Sequence, residues 1–178
     1  MADFVEEIVA ERVVFRGRKL AVAERDIRVA EGQVVTREIL KKDDSVAVLA
    51  LDAEGRVHLV EEYFAGTGER ALCLPKGSVD PGEDPADAAL RELREELGLR
   101  GDLEPLCTLN VSPGYLSQRT RIYVARRLVR DPLPGDEVHS LKPVVVGLDE
   151  AIRLCEDGVV QEARTVAALL LARSREPG

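Results

Sequence analysis

There is no tryptophan in this chain, and tyrosine and phenylalanine contribute three residues each, so aromatics amount to 3%. That is too few for an extended base-stacking platform on single-stranded nucleic acid. Cysteine is also scarce. Cys73, Cys107 and Cys155 are odd in number, far apart and without zinc-like spacing. They read as buried free thiols and point to a reducing cytoplasm. Neither of the two histidines has a ligand-like partner. No apolar run reaches membrane-spanning length, and the opening MADFVEEIVAER has no basic region followed by an apolar one. Neither a membrane partner nor a signal peptide is therefore expected. No cluster of Lys and Arg interrupts a net charge of −8. Long nucleic acids would be repelled, whereas a small phosphorylated substrate can still bind where metal ions mask the local charge.

What is present is ordinary in bulk and specific in detail. The 178 residues, 45% hydrophobic and 33% charged, are enough to bury a core. They favour a main domain over residues 43–178 and a small N-terminal β subdomain over residues 1–42. Residues 11–40 read as short strands around turns at Arg16-Gly17-Arg18 and Glu31-Gly32. With few large apolar residues, this unit needs something to pack on, which motivates an expected homodimer. Ser45–Leu51 has the apolar, β-branched content of a buried strand, and Asp52-Ala53-Glu54-Gly55 turns it into Val57–Val60. Ala71–Leu74, Leu103–Val111, Arg121–Leu128 and Lys142–Leu148 read as further strands. Val129–Ser140, rich in Pro, Gly and acid, reads as a loop. Two late helices are expected. One is capped by Asp149 and ends at Gly158; the other spans Glu162–Ser174, with Val166, Leu169 and Leu170 sharing a side.

One stretch stands apart, GSVDPGEDPADAALRELREELGL from Gly77 to Leu99. Asp84-Pro85 opens a helix, Asp87 places charge in its first turn, and Gly98 stops it. Ala86, Ala89, Leu90, Leu93 and Leu97 form an apolar stripe, and Glu92, Glu95 and Glu96 are read as lying off it. Glu92 and Glu96 stack one turn apart with Glu95 beside them. Such a group is mildly unfavourable without a compensating cation. Arg91 and Arg94 supply part of that charge, and a hard divalent ion would supply more.

The fixed spacing of Gly77, Glu83, Arg91-Glu92-Leu93, Glu95-Glu96-Leu97 and Gly98 resembles the Nudix box in full. The resemblance implies a hydrolase that cleaves a diphosphate joined to another moiety by means of metal-activated water. It implies an α/β fold, a Nudix α/β/α sandwich with a mixed sheet, here with the small N-terminal antiparallel hairpin unit. It implies Mg²⁺, or Mn²⁺ in its place, with two or more ions. Glu92, Glu96 and the carbonyl of Lys76 are the implied metal ligands, with Glu95 a ligand or a base. Arg91 would orient the glutamates, and Glu83 would support the loop. In the loop Pro134-Gly135-Asp136-Glu137, Glu137 is the first choice for the catalytic base and Glu95 the second.

Beyond the box, the chain resembles the ADP-ribose pyrophosphatase group and its ADP-compounds hydrolase branch. The pieces are Glu62-Tyr63, Ala65-Gly66-Thr67-Gly68-Glu69, Leu74-Pro75-Lys76-Gly77, Ser112-Pro113-Gly114-Tyr115, Gly135-Asp136-Glu137 and Glu162-Ala163-Arg164. The resemblance implies hydrolysis of ADP-ribose and related ADP-linked compounds to AMP and a phosphorylated remainder. Arg37, Lys76, Gly77, Pro113, Gly114, Tyr115 and Gln118 are the expected substrate contacts. Pro113 fixes its φ, and Gly114 allows a left-handed or tight conformation there. Phe64 follows Tyr63 where the group usually has Arg, Lys76 stands where Ala is common, and Gln118 stands where Glu is common. These differences keep dinucleoside polyphosphates, NADH and nucleotide-sugars open as substrates, because Lys76 could meet a phosphate as a point charge. A non-catalytic nucleotide sensor also stays open.

Overall fold

The computed structural model describes residues 5–134 and 141–175. They form two compact units.

The first unit comprises residues up to Asp43 together with Asn110–Arg119. Its sheet is antiparallel, in the order β1 (Glu7–Arg16), β2 (Ala21–Arg28), β3 (Val34–Lys41). The first strand starts before residue 11, where the sequence reading began its strands, and charged cross-strand pairs line its ladder. Arg12 reaches Asp26 at 3.1 Å, and Arg25 reaches Glu11 at 2.5 Å. Every residue of β1 is exposed, and the buried apolar residues of this sheet are Ala21, Ala23 and Ile39. The Asn110–Arg119 segment joins through a parallel bridge between Leu40 and Leu116. The Leu40 N–H donates to the Tyr115 carbonyl at 2.6 Å, and the Ser117 N–H donates to that of Leu40 at 3.0 Å.

The second unit is built on β4 (Ser45–Leu51), which is buried along its whole length. It pairs in parallel with β9 (Thr120–Arg130) and antiparallel with β5 (Arg56–Phe64) and β7 (Lys76–Ser78). β8 (Leu99–Leu109) flanks β9, and β6 (Glu69–Cys73) and β10 (Lys142–Gly147) flank β5. Period-two alternation sends successive β4 side chains to opposite faces. Ala47, Leu49 and Leu51 face a core with Leu59, Ile122, α2 (Leu148–Glu156) and α3 (Ala163–Arg175). Val46, Val48 and Ala50 face α1 (Pro85–Leu97) through Ala88, Ala89 and Leu93. The result is an α/β/α sandwich on a mixed sheet.

Several boundaries depart from the sequence reading. Lys76–Ser78 is a strand, and β9 continues to Arg130, so the following loop starts at Asp131. Asp149 does not cap α2; Gly147 occupies the N-cap without a side-chain bond, and Asp149 lies in the first turn. In α3 the buried residues are Thr165, Ala168, Leu169 and Ala172, and Leu170 is exposed. Small residues pack this helix, so a reading based on large apolar side chains misplaced its inner face.

Candidate active site

Both ends of α1 carry the expected caps. The Asp84 carboxylate accepts from the Ala86 N–H at 2.8 Å, and Pro85 occupies the first turn. Gly98 takes φ 67°, and its N–H closes on the Arg94 carbonyl at 3.1 Å. The inner face differs from the stripe read from sequence. It consists of Ala88, Ala89, Glu92, Leu93 and Glu96, with Glu92 and Glu96 each only 8% exposed. The acids at i and i+4 continue the Ala88 row and are drawn inward beside Leu93 rather than left in solvent.

What they meet is backbone. β7 pairs with β4 in the register Val46↔Gly77 and Ala47↔Lys76, which fixes residues 76 and 77 alongside α1. The Lys76 N–H donates to Glu96 Oε1 at 3.3 Å. Gly77 lies so close to Glu92 that an added Cβ would overlap the carboxylate. This close approach, not a left-handed φ, is the reason for glycine at the head of the box.

Arg91 gathers the remaining acids. Its guanidinium donates from Nε and Nη2 to the two Glu83 oxygens, both at 3.0 Å, and from Nη1 to Glu92 at 2.6 Å and Glu95 at 3.3 Å. Nη2 also reaches the Ser78 carbonyl at 3.0 Å. The bond from Arg91, followed by one from the Asp80 N–H, holds the Glu83 carboxyl below its ordinary pKa. Glu96 is the exception. Burial raises its pKa to about 8, against the pull of Lys76. Its Oε2 is buried and has no hydrogen-bond partner among the described residues.

Lys76 does not extend its ammonium toward open space. Its side chain is 9% exposed and ion-paired with Glu62. Nζ lies 3.2 Å from Cys73 Sγ and 4.8 Å from the centroid of the Phe64 ring. Burial works against that charge, but Cys73 and Glu62 offset it and keep the Lys76 pKa above the ordinary lysine value. Burial also pushes the Cys73 thiol up to about 12, which makes it a poor nucleophile. The Glu162-Ala163-Arg164 piece acquires a physical role as well. Glu162 accepts from Arg164 Nε at 2.7 Å and from the Thr165 hydroxyl at 2.8 Å, and that hydroxyl accepts from the Leu74 N–H at 3.0 Å. A fully buried Thr165 thus ties α3 to the strand that leads into Lys76. Thr165 and the pairing of Glu62 escaped the sequence reading, because neither lies in the box and their partners are distant along the chain.

The other expected contacts belong to the first unit. Pro113, Gly114 and Tyr115 are exposed, and the Leu116 N–H donates to the Ser112 carbonyl at 2.8 Å to close the turn. Of the left-handed or tight conformations that Gly114 allows, the left-handed one is not used, and a Cβ there would meet open space. Gln118 is buried, and its amide donates to the Asp43 carbonyl at 2.7 Å. Arg37 is exposed on β3 and donates to the Thr36 carbonyl at 3.2 Å. Glu137 lies outside the described residues.

Among the described residues, no three His, Cys, Asp or Glu side chains converge as a ready ligand group for a metal. Arg91 and the Lys76 N–H engage them instead. The donors nevertheless fit a hard divalent ion. The side-chain donors are carboxylate oxygens, one of them orphaned and buried, and a carboxylate is pressed into a cradle that tolerates no Cβ.

Fold and box together define a hydrolase built on a helix of acids, α1, laid beside the strand β7. Residues 41–169 match the family model described as NUDIX domain, and the chain belongs to that family. Among its relatives is a methanol dehydrogenase activator of Bacillus methanolicus, 30% identical over 97% of this chain and 95% of that protein. An ADP-ribose pyrophosphatase of Bacillus subtilis (strain 168) is 28% identical over 99% of this chain and 97% of its own. The crystal structure of an ADP compounds hydrolase superposes with a TM-score of 0.83 at 34% identity, covering 95% of this chain and 92% of that one. Members of the family generally need divalent metal ions. No helix among the described residues is long and apolar enough to cross a membrane.

Proposed function

We propose that this protein is a pyrophosphatase that hydrolyses ADP-ribose and related ADP-linked compounds to AMP and a phosphorylated remainder. The carrying observation is the buried, unpartnered Glu96 oxygen beside Glu92 on a helix whose acids are already gathered. The names of the pyrophosphatase and hydrolase relatives support the substrate class. In this reading Mg²⁺, or Mn²⁺, two ions or more, is held by Glu92, Glu95, Glu96 and the Lys76 carbonyl. Its chemistry is to neutralise phosphate charge and lower the pKa of water. Arg91 and Glu83 orient the carboxylates, and Glu137 or Glu95 takes the proton from the attacking water. Arg37, Gly77, Pro113, Gly114, Tyr115 and Gln118 contact the nucleotide. The protein works as a cytoplasmic homodimer through its N-terminal β subdomain, with residues 43–178 as the hydrolase domain. Sedimentation at micromolar concentration would show that dimer, and a monomer there would dismiss it.

The test is a panel of ADP-ribose, diadenosine triphosphate and NADH with Mg²⁺ or Mn²⁺, products identified. ADP-ribose is expected to give AMP and ribose 5-phosphate with the highest kcat/KM. Glu96→Gln should lower kcat at least roughly a hundredfold, beyond the usual cost of losing an outer-shell partner. Full activity in that variant would refute the ligand assignment.

A further inference from the structure

Two oppositely charged groups near Glu96 have so far no role in the proposed reaction. Lys76 and Glu62 are ion-paired, and the pair is closed in by Cys73, whose thiol lies 3.4 Å from Glu62, and by the face of Phe64. Lys76 has a long stem, and its backbone N–H already sits on Glu96. Lys76 and Glu96 also feel each other's charge. An ammonium so placed is an internal competitor for that carboxylate once it ionises, because an ionised carboxylate in a poorly solvated setting strongly attracts an available cation. Yet Glu96 Oε2 has no hydrogen-bond partner among the described residues. The reason is visible on the neighbouring strand: Glu62, on β5, already holds the ammonium, and its register neighbour Ala71 sits two residues from Cys73 on β6.

We propose that Glu62 is a positioning residue that sequesters the Lys76 ammonium, so that the buried Glu96 oxygen stays open to an external divalent cation. This rests on the reading of Glu96 as a cation ligand, and it concerns a residue outside the box. Without Glu62, the lysine swings to Glu96 and occupies the place of the cation from within. Removing the lysine as well should then restore the site, an outcome that a merely structural role for Glu62 would not produce.

The experiment is Mn²⁺ titration of the full chain, followed by electron paramagnetic resonance of the free ion, with thermal unfolding of each variant as a folding control. Glu62→Gln is expected to weaken Mn²⁺ binding about tenfold, within the range for outer-shell partners of metal sites. The double variant Glu62→Gln/Lys76→Met should return to within about twofold of wild type. Glu62→Asp, which keeps the charge, should lose less than Glu62→Gln. Wild-type affinity in Glu62→Gln, or an unrelieved loss in the folded double variant, would overturn the proposal. If wild type binds Mn²⁺ but hydrolyses none of the panel, the substrate reading falls while the double-variant cycle still decides this one. Absence of Mn²⁺ binding in wild type would remove both.

Discussion

The two faces of β4 are packed with different materials. Toward α2 and α3 the core is made largely of branched and long aliphatics: Leu49, Leu51, Leu59, Leu74, Ile122, Ile152 and Leu169. Toward α1 half of its buried residues are alanines, Ala50, Ala88, Ala89 and Ala125, packed with Val46, Val48, Leu93 and Tyr123. Bulk on one face supplies buried apolar area. Small residues on the other face let a helix approach the sheet closely, and that approach brings Glu92 and Glu96 against the backbone of residues 76 and 77. The difference teaches that stability and chemistry are divided between the faces of a single strand.

The division can be broken from either side. The largest stability effect is expected from Leu169→Ala on the aliphatic face, roughly 2–5 kcal/mol by analogy with other buried leucines. Chemical denaturation would measure it, and kcat of the folded fraction should hardly change. A large drop in kcat would mean that the two faces are not separate. Gly77→Ala tests the other side. It should cost about 1–3 kcal/mol, the usual range for overpacking, and reduce kcat more than tenfold, because the Glu92 carboxylate must move. Steady-state kinetics on this variant with unchanged kcat would sink the close-approach argument.

A pH dependence sharpens the contrast further. Glu96 has its folded pKa raised by burial to about 8, above the ordinary glutamate value of 4.5. Between those values the folded, metal-free protein holds a proton that the unfolded chain releases. The contribution of this group to stability therefore falls as pH rises through that window. Wild type in EDTA should melt at lower temperature at pH 8 than at pH 5, relative to Glu96→Gln, and saturating divalent ion should shrink the gap. Parallel melting curves for the two proteins would contradict it. The smallest effect is expected at the helix entrance: Asp84→Ala should lose about 1 kcal/mol by removing the N-cap bond to Ala86.

How far the chain could be read in advance follows from the range of the interactions involved. Asp84, Pro85 and Gly98 act within one helical turn, so the limits of α1 were legible. The apolar, β-branched content of Ser45–Leu51 likewise declared a buried strand. The box named Glu83, Arg91, Glu92, Glu95 and Glu96, and the structure gathers Glu83, Glu92 and Glu95 around the Arg91 guanidinium and lays Glu96 on the Lys76 N–H. What the pattern concealed was burial. Helical periodicity sorts residues by type, so Glu92 and Glu96 were placed on the outer side although they continue the Ala88 row inward. Lys76 was read as free to reach a phosphate because Glu62, fourteen positions earlier, meets it only through the β5–β6 pairing. The strand at Lys76–Ser78 was hidden because it is only three residues long and contains glycine.

Arg91 reaches three glutamates and a main-chain carbonyl with one planar group. Like charges that would otherwise repel are thereby assembled while the chain folds, and the entropy of ordering them is spent then rather than when an ion arrives. A cation entering this region meets carboxylates already drawn toward one another, and its affinity reflects what it gains beyond a guanidinium already in residence.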